Sequence, residues 1–282
     1  MKILNNLDLT EYNSYRLHSK AETALFPESI EEIKVIVSQD CPIIIGGGCN
    51  VIFVREFYRQ PIMFIRDNFS GILQEGNHLK VKAGTDLQLL SEYALKHSLS
   101  GLERYYDIPG CVGGATIMNA GCNGVSFSDL IVTVTYYDRD KRRIETLSKD
   151  ELCFEYRGNV FQNMNVVILE VELELRHGTK EDILSLMVSN KKARWAKQPR
   201  EYPSAGSVFK RPQGHFVGPM ITEVGLKGFR IGDAMISDKH AGFIVNTGNA
   251  VSGDVIALID LAKKQVKEKY NIDLEIEQRY IW

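Results

Sequence analysis

Two clusters of glycine have the composition of loops that bind a ligand through the main chain. The larger covers residues 108–124, reads IPGCVGGATIMNAGCNG and contains no charged residue. The smaller, residues 46–50 (GGGCN), follows the apolar run 42–45, which has the composition of a buried strand. Because glycine has no side chain, it brings bare N–H groups close to a phosphate or a flat ring. Two such loops predict a long ligand that carries phosphate.

Neither cluster has the spacing of the common nucleotide motifs. Residues 46–51 and 110–114 match neither G-x-G-x-x-G nor G-x-x-x-x-G-K-[ST], which disfavours a Rossmann or a P-loop site. Either cluster alone could equally be a set of tight turns. The two together, both bounded by strand-like runs, favour the ligand.

The composition excludes several classes of protein. The 282 residues are 44% hydrophobic and 25% charged, as in a globular chain with room for two or three domains. With 34 basic and 36 acidic residues the net charge is −2, so no general basic field for nucleic acid exists. No apolar run reaches the length of a membrane helix, and no secretory signal pattern opens the chain. We expect a cytoplasmic protein without membrane insertion, and the oligomeric state stays open.

The cysteines and histidines predict no metal site. The five cysteines form no C-x-x-C pair, which argues against a disulfide framework and against a thiolate zinc site. The six histidines contain no pair at i, i+4 spacing that would share a helix face. We expect reduced thiols that serve mainly in packing.

The elements around the glycine clusters form a mixed α and β layout. Apolar periodicity predicts that helix and strand alternate through the first half of the chain. The predicted helices are 31–37, 87–97, 180–195 and 253–270, and the predicted strands are 43–45, 79–83, 131–137, 166–175, 242–246 and 274–282. The polar segment 196–206 is a candidate domain boundary. In the last strand, Glu275, Glu277 and Arg279 share one face by the period of two.

The ordered set of these motifs resembles one family, the UDP-N-acetylenolpyruvoylglucosamine reductases of bacterial cell-wall synthesis, over nearly the whole chain. The motifs are GGGCNV at 46–51, where the family usually has GGGSN, IPG at 108–110, VGG at 112–114, NAG at 119–121, YR at 156–157, AGSVFK at 205–210 and LEIE at 274–277. Each match alone is weak, but the ordered set is specific. The compact spacing from 160 to 180 resembles the shorter type of the family.

The resemblance implies an α+β fold with two domains. Residues 1–182 would form an FAD-binding domain of the vanillyl-alcohol-oxidase/PCMH type, in two lobes of about 1–62 and 63–182, and residues 183–282 a smaller α/β substrate-binding domain. Hydride would pass from NADPH through a non-covalent FAD to UDP-N-acetylglucosamine enolpyruvate, giving UDP-N-acetylmuramate. The implied cofactor-binding residues are Ile45, Gly46, Gly47, Gly48, Cys49, Asn50, Val51, Pro109, Gly110, Cys111, Gly113, Gly114, Asn119 and Gly121.

The reaction itself needs a charge stabiliser, a proton donor and a hydride carrier. Hydride addition to the methylene carbon of an enolpyruvyl group drives negative charge onto the carboxylate, and the adjacent carbon is then protonated. Arg157 suits the first role because a guanidinium stays charged and matches a carboxylate. A strand-end arginine in a salt bridge is the alternative, and the family match favours catalysis. Asn159 stands where the family commonly has Ser.

The resemblance assigns the remaining two catalytic roles to Ser207 and Glu277. Ser207 would donate the proton, although a serine that caps a turn is the alternative. Glu277 would polarise the intermediate or assist proton delivery. Because Glu275 faces the same way on the predicted strand, periodicity alone cannot choose between the two carboxylates.

Basic residues near these positions are candidates for the substrate's diphosphate and carboxylate. We expect Arg194, Lys197 and Lys210 to bind substrate, although single lysines in such runs are usually solvated. Arg211 departs from the asparagine that some family members have. His240 could line the pocket, but a packing histidine is the simpler interpretation.

Two other functions stay open at this point. The chain could be another FAD-dependent oxidoreductase of the same fold, with covalent flavin attachment at Cys49 or Cys111. It could also be a nucleotide-sugar-binding module without turnover. The joint presence of Arg157, Ser207 and Glu277 argues against the second alternative.

Overall fold

The structure is a computed structural model that describes residues 1–122 and 124–282, without the side chain of Cys122. It divides into two compact units that interleave along the chain. Unit 1 comprises Met1–Asn5, Thr23–Gly47 and Gln60–Lys192, and unit 2 comprises Asn6–Glu22, Gly48–Arg59 and Ala193–Trp282. The predicted functional domains 1–182 and 183–282 are continuous stretches, and their assignment to cofactor and substrate stays a prediction.

Helices and strands are mixed throughout the chain. The helices are α1 (Ile30–Gln39), α2 (Leu87–Lys96), α3 (Val112–Ile117), α4 (Lys180–Lys197), α5 (Val217–Glu223) and α6 (Ser252–Tyr270). The strands are β1 (Lys2–Asp8), β2 (Lys20–Phe26), β3 (Ile43–Ile45), β4 (Val51–Phe53), β5 (Phe57–Tyr58), β6 (Ile62–Phe64), β7 (Ile72–Glu75), β8 (His78–Lys82), β9 (Leu99–Ser100), β10 (Gly121–Cys122), β11 (Val125–Ser126), β12 (Ile131–Asp138), β13 (Arg143–Ser148), β14 (Val166–Glu174), β15 (Arg176–His177), β16 (Arg230–Ile231), β17 (Ala234–Ile236), β18 (Ile244–Asn246) and β19 (Arg279–Ile281). Short 3-10 turns occur at Thr10–Tyr12, Asp67–Phe69, Phe127–Asp129 and Val160–Asn163.

The main sheet of unit 1 is antiparallel, with strand order β13-β12-β14-β8-β7. Its inner face is set by cross-strand pairing, since Val134 lies opposite Val171 and Val171 lies opposite Val81. All three valines are completely buried, and their row forms the centre of the unit 1 core. Burial of this apolar row stabilises the sheet. Helix α3 packs on β14 and β8, which places the larger glycine cluster beside this sheet.

A second five-stranded sheet positions the first glycine cluster through its parallel pairs. In it, β6 pairs with β2 and β3, so that Ile62 lies opposite both Ala24 and Ile43. Ser29 caps the N-terminus of helix α1, because its side chain accepts a hydrogen bond from the N–H of Glu32. Strand β3 ends at Ile45, and the GGGCN loop leaves from its carboxyl end.

Unit 2 has its own sheet and core. Strands β16, β17 and β18 form an antiparallel sheet, and α6 packs against it. Leu258, Ile259 and Ala262 form the buried face of α6. Strand β19 pairs in parallel with β4, so the end of the chain lies beside the residues that follow the GGGCN loop.

Most of the long predicted elements are confirmed, whereas three predictions need correction. Helix and strand do not alternate through the first half, because six short strands, β3 to β8, follow one another between α1 and α2. The predicted strand 274–282 is regular only at Arg279–Ile281, since the chain changes its pairing partner at Gln278. The larger glycine cluster also contains helix α3 rather than loop alone.

Candidate active site

The two predicted cofactor loops meet in unit 1 at the thiol of Cys111. Its Sγ accepts hydrogen bonds from the N–H groups of Gly114 and Gly47. A Cβ added to Gly46 would lie 2.7 Å from this sulfur, so position 46 has no room for a side chain. Burial raises the pKa of the Cys111 thiol, which keeps it protonated and poorly nucleophilic. The thiol joins the loops, and its environment argues against flavin attachment there.

Three main-chain N–H groups of these loops have no acceptor within the described part of the chain. They belong to Gly46, Gly110 and Cys111. At Gly110 φ is +131°, and an added Cβ would meet no atom within 4 Å, so this loop presents bare backbone to open space. Available N–H donors on glycine-rich backbone are suited to phosphate oxygens.

Other residues predicted to bind cofactor in unit 1 also serve the scaffold. Ile45 is the buried last residue of β3, and its carbonyl accepts the N–H of Ile65 at 2.9 Å. The N–H of Gly113 donates to the carbonyl of Ala83 at 2.8 Å, which fixes the first turn of α3 to the end of β8. Pro109 is exposed beside this turn. The cofactor contacts of these residues stay predictions.

The second half of the GGGCN loop belongs to unit 2 and supports Glu277. Gly48 has φ of +69°, and an added Cβ would lie 2.0 Å from the carbonyl oxygen of Tyr12. The Asn50 side chain donates to the main-chain carbonyl of Glu277 at 3.0 Å, and the main-chain carbonyl of Asn50 accepts the N–H of Arg279 at 2.9 Å. The half-buried Cys49 precedes it, and Val51 opens β4 opposite Arg279. Asn50 therefore holds the segment that carries a predicted catalytic carboxylate.

Arg157 lies on a tight turn rather than at a strand end. Glu155 and Gly158 close the turn through two hydrogen bonds of 3.0 and 3.2 Å. Arg157 itself has φ of +58°, a conformation that costs a non-glycine residue energy and recurs at functional sites. Its guanidinium donates to the carbonyls of Asn119 and Gly121, both at 3.4 Å. The turn thus presents the guanidinium beside the end of the larger glycine cluster.

Two buried asparagines hold the Arg157 turn in place. The side chain of Asn119 donates to the carbonyl of Glu155 at 2.8 Å and accepts the N–H of Ser128 at 3.1 Å. The side chain of Asn159 donates to the carbonyls of Thr116 and Ile117, and it accepts the N–H of Phe161. Asn119 was expected to bind cofactor and Asn159 to replace a family serine. In the structure both side chains stabilise the turn.

In unit 2, a buried amide fixes the turn that precedes Ser207. The side chain of Gln278 donates to the carbonyls of Ala205 and Gly206, at 3.1 and 3.3 Å. It accepts the hydroxyl of Tyr15 at 3.0 Å, and burial raises the pKa of this tyrosine. Gly206 has φ of +78°, which favours glycine there. This network sets the backbone conformation at Ser207.

The structure brings Ser207 and Glu277 onto neighbouring extended segments. The carbonyl of Val208 accepts the N–H of Glu277 at 2.9 Å, and the N–H of Lys210 donates to the carbonyl of Glu275 at 2.8 Å. An antiparallel bridge joins Phe209 to Ile276 between these bonds. The predicted proton donor and the predicted carboxylate are therefore parts of one local arrangement.

The carboxylates of Glu275 and Glu277, which the strand period could not distinguish, differ in exposure. The carboxylate of Glu275 is 69% exposed and forms an ion pair with Lys210 at 2.5 Å. Glu277 is half-buried. Lys210, a predicted substrate ligand, thus already has an anionic partner that a substrate anion would have to replace.

The other predicted substrate residues lie in the last turn of α4. Arg194 is buried, whereas Lys197 is exposed. Arg211 stacks on the ring of Phe216, 3.8 Å from its centroid, and donates to the carbonyl of His215. Substrate contacts of these residues stay predictions.

Sequence reasoning missed the residues that position Ser207. Tyr15 and Gln278 are 263 residues apart, and neither belongs to a motif that predicts their contact. Asn246, whose side chain donates to the carbonyl of Tyr15 at 2.9 Å, was not predicted either. The one usable signal in the sequence is that Asn246 is a polar residue directly after the apolar run 243–245.

The described residues contain neither a metal-binding cluster nor a helix suited to cross a membrane. They contain no cluster of three or more His, Cys, Asp or Glu side chains arranged to hold a metal ion. Within the same residues, no helix combines the length and the hydropathy needed to cross a bilayer.

Comparison with known proteins gives consistent matches. Residues 198–281 match the family of UDP-N-acetylenolpyruvoylglucosamine reductase C-terminal domains, and residues 21–146 match a family of FAD binding domains. A UDP-N-acetylenolpyruvoylglucosamine reductase from Syntrophomonas wolfei is 38% identical over 99% of this chain and 95% of its own length. The Fervidobacterium nodosum enzyme of that name is 40% identical over 96% of this chain and 89% of its own length. The crystal structure of a UDP-N-acetylenolpyruvylglucosamine reductase from Thermus caldophilus superposes with a TM-score of 0.85, at 33% identity and 99% coverage of both chains.

Proposed function

The chain belongs to the UDP-N-acetylenolpyruvoylglucosamine reductase family, and on that premise we propose that it uses NADPH and FAD to reduce UDP-N-acetylglucosamine enolpyruvate to UDP-N-acetylmuramate. The fold is of the α+β class, with an FAD-binding domain of the PCMH type and a reductase C-terminal domain. The membership places the chain among flavin-dependent reductases of peptidoglycan precursor synthesis. The observation that carries the proposal is the hydrogen bond that joins Val208 to Glu277, next to Ser207.

The glycine loops of unit 1 fit the phosphates of FAD. The available N–H groups of Gly46, Gly110 and Cys111 are donors without a competing protein acceptor among the described residues. Open space in front of Gly110 is where a side chain would otherwise project. When bound, FAD supplies the hydride that it has received from NADPH. The protein's part is to bind, orient and exchange protons.

Arg157 would stabilise the charge that develops on the enolpyruvyl carboxylate. A guanidinium offers a planar fork of donors and keeps its charge when partly desolvated. The donors of Arg157 are already oriented, because the turn is fixed by Asn119 and Asn159 and its φ is locked at +58°. A preorganised cation loses little free energy to reorientation when the charge forms.

Ser207 would donate a proton to the carbon next to the carboxylate, and Glu277 would assist. A serine hydroxyl is a weak acid, but an enolate-like carbon is basic enough to take its proton within hydrogen-bond reach. The Gln278 network fixes the backbone before Ser207, and the Val208 carbonyl fixes Glu277. Lys210, with Arg194 and Lys197, would bind the anionic groups of the substrate.

An anaerobic flavin titration tests this proposal. The visible spectrum of the purified holoprotein is recorded, NADPH is added, and UDP-N-acetylglucosamine enolpyruvate follows. We expect the flavin bands to bleach with NADPH and to return with substrate. Bleaching without return would point to another acceptor, and flavin that acid does not release would indicate covalent attachment.

A further inference from the structure

His240 lies on the turn between β17 and β18 with a defined proton position. Its Nδ1 accepts the N–H of Gly242 at 3.1 Å, and its carbonyl accepts the N–H of Phe243 at 3.0 Å. A backbone N–H can only donate, so Nδ1 carries no proton in this arrangement. The neutral imidazole therefore has its proton on Nε2.

The surroundings of the imidazole fix its orientation. Ser237, which is 1% exposed, accepts the N–H groups of Lys239 and His240 at 3.1 Å each. The ring of Phe243 meets the imidazole edge-on at 4.9 Å. A Cβ added to Gly242 would lie 2.9 Å from the imidazole Cε1, so the ring occupies the space of a side chain there. The bond from Gly242 is therefore part of a packed turn.

This turn is connected directly to the backbone at Ser207. The carbonyl of Gly242 accepts the N–H of Val208 at 3.0 Å, and an antiparallel bridge joins Ser207 to Phe243. The N–H of Val208 belongs to the peptide group that follows Ser207. A rotation of Gly242 would shift this peptide group and, with it, the serine hydroxyl.

We propose that neutral His240 is a positioning residue for Ser207, acting through its Nδ1 bond to Gly242 and the Gly242 bond to Val208. The inference rests on the proposed function, in which Ser207 donates a proton. Gln278 holds the residues before Ser207, and the His240 turn holds the peptide after it. The serine is thus fixed from both sides.

Protonation of His240 would break this connection. A proton on Nδ1 turns the acceptor into a donor that faces the N–H of Gly242. Burial lowers the pKa of His240 from its ordinary value of 6.5. Charged groups lie on three segments near His240. The His240 turn carries Asp238 and Lys239, and Lys239 pairs with Glu201. The Ser207 segment carries Arg211 and Lys210, which pairs with Glu275, and α5 carries Glu223, which pairs with Lys269. None of the described ion pairs includes His240, so no carboxylate stabilises its charged form.

Two substitutions separate positioning from packing. In His240→Asn, the side-chain oxygen can accept the N–H two residues ahead, as in an Asx turn, and it does not titrate. In His240→Leu, the packing volume stays and the acceptor is lost. Both holoproteins and the wild type are reduced with NADPH and then mixed with substrate, and flavin reoxidation is followed between about pH 5 and 8.

We expect substrate-dependent reoxidation in the wild type to slow towards the acid end of this range, as the pH falls through the pKa of His240, which burial holds below 6.5. His240→Asn should stay within about 3-fold of the wild type at neutral pH and lose the acid decline, while His240→Leu should be slower by about 10- to 100-fold at every pH. Bleaching by NADPH should be equal in all three. ¹⁵N spectra of the wild-type imidazole should show the Nε2–H tautomer.

Different results overturn different claims. If wild-type flavin is not reoxidised by substrate, the proposed function fails and this inference fails with it. If the wild type turns over but His240→Leu reoxidises equally fast, or His240→Asn keeps the acid decline, the positioning role alone is wrong. Should His240→Leu not fold, the pH profile of His240→Asn decides.

Discussion

The position of Ser207 depends on single side chains that are distant in the sequence. Gln278 bonds two carbonyls of the turn before the serine, and Tyr15 orients the Gln278 amide from inside the unit 2 core. Each of these polar groups is buried and has its partner, which is the condition under which a buried network specifies one conformation. Loss of any member leaves another without a partner.

A double-mutant cycle tests the coupling between Tyr15 and Gln278. We expect Tyr15→Phe to lower the free energy of unfolding by about 1–3 kcal/mol, because the buried Gln278 oxygen loses its donor. Combined with Gln278→Met, the same change should cost less by about 1 kcal/mol or more, since no acceptor is then stranded. Urea denaturation measures both values.

Tyr137→Phe is the matched control, since Tyr137 is also buried and its hydroxyl has no hydrogen bond within the described residues. Its stability should stay close to that of the wild type. Equal losses for Tyr15→Phe in both backgrounds would show that the two side chains are not coupled.

The Lys210–Glu275 ion pair makes a second prediction at this scale. Glu275→Gln should release Lys210 for the substrate and lower KM by about 1.5- to 5-fold, the range that an exposed ion pair of 0.2–1 kcal/mol allows. Glu268→Gln on α6 removes a comparably exposed carboxylate paired with Lys264 and should leave KM unchanged. A higher KM in Glu275→Gln would mean that Glu275 contributes to binding.

The GGGCN loop connects strand β3 to strand β4. Its sequence requires glycine for two reasons, the backbone conformation and the close approach of neighbouring atoms. Gly48 combines a positive φ with an approach to Tyr12 that no Cβ tolerates. The same loop contributes Gly46 to the Cys111 contact and Asn50 to the support of Glu277. One short element therefore contributes to the Cys111 contact and to the support of Glu277, the predicted catalytic carboxylate.

Two alanine substitutions distinguish the contributions of conformation and contact. Gly48 and Gly76 have nearly equal φ values of +69° and +65°, but an added Cβ at Gly76 would meet nothing within 4 Å. We expect Gly76→Ala to cost about 1–3 kcal/mol from the backbone alone. Gly48→Ala should cost several kcal/mol more and reduce the flavin content of the purified protein. Thermal unfolding and the visible absorbance measure these effects, and equal losses would refute the contact argument.

For the whole molecule, local sequence patterns predicted the long helices and strands. The short strands and the contacts between distant residues depend on tertiary structure, which these patterns do not show. Apolar periodicity located α1, α2, α4 and α6, because a helix shows its buried face in a single stretch of sequence. The short strands between α1 and α2 are only two to five residues long and give no such period. The prediction that helix and strand alternate through the first half of the chain was therefore wrong.

The candidate site shows the same limit. Its glycine loops, Arg157 and Ser207 stand in motifs that can be recognised. Asn119 and Asn50 also stand in motifs, but the motifs did not reveal that their side chains hold the Glu155 and Glu277 segments. The Tyr15–Gln278 contact joins the two ends of the chain and leaves no local trace. Motifs thus identify the chemical groups, and the tertiary structure identifies what holds them.

The most direct test of the account is the rate at which substrate reoxidises reduced flavin in Ser207→Ala. Ser204→Ala, three residues earlier in the same segment, is the control and should match the wild type. We predict that Ser207→Ala is bleached normally by NADPH but reoxidised about 10²- to 10⁴-fold more slowly, the usual contribution of a positioned proton donor. Reoxidation at the wild-type rate would contradict the assignment of Ser207 as the proton donor.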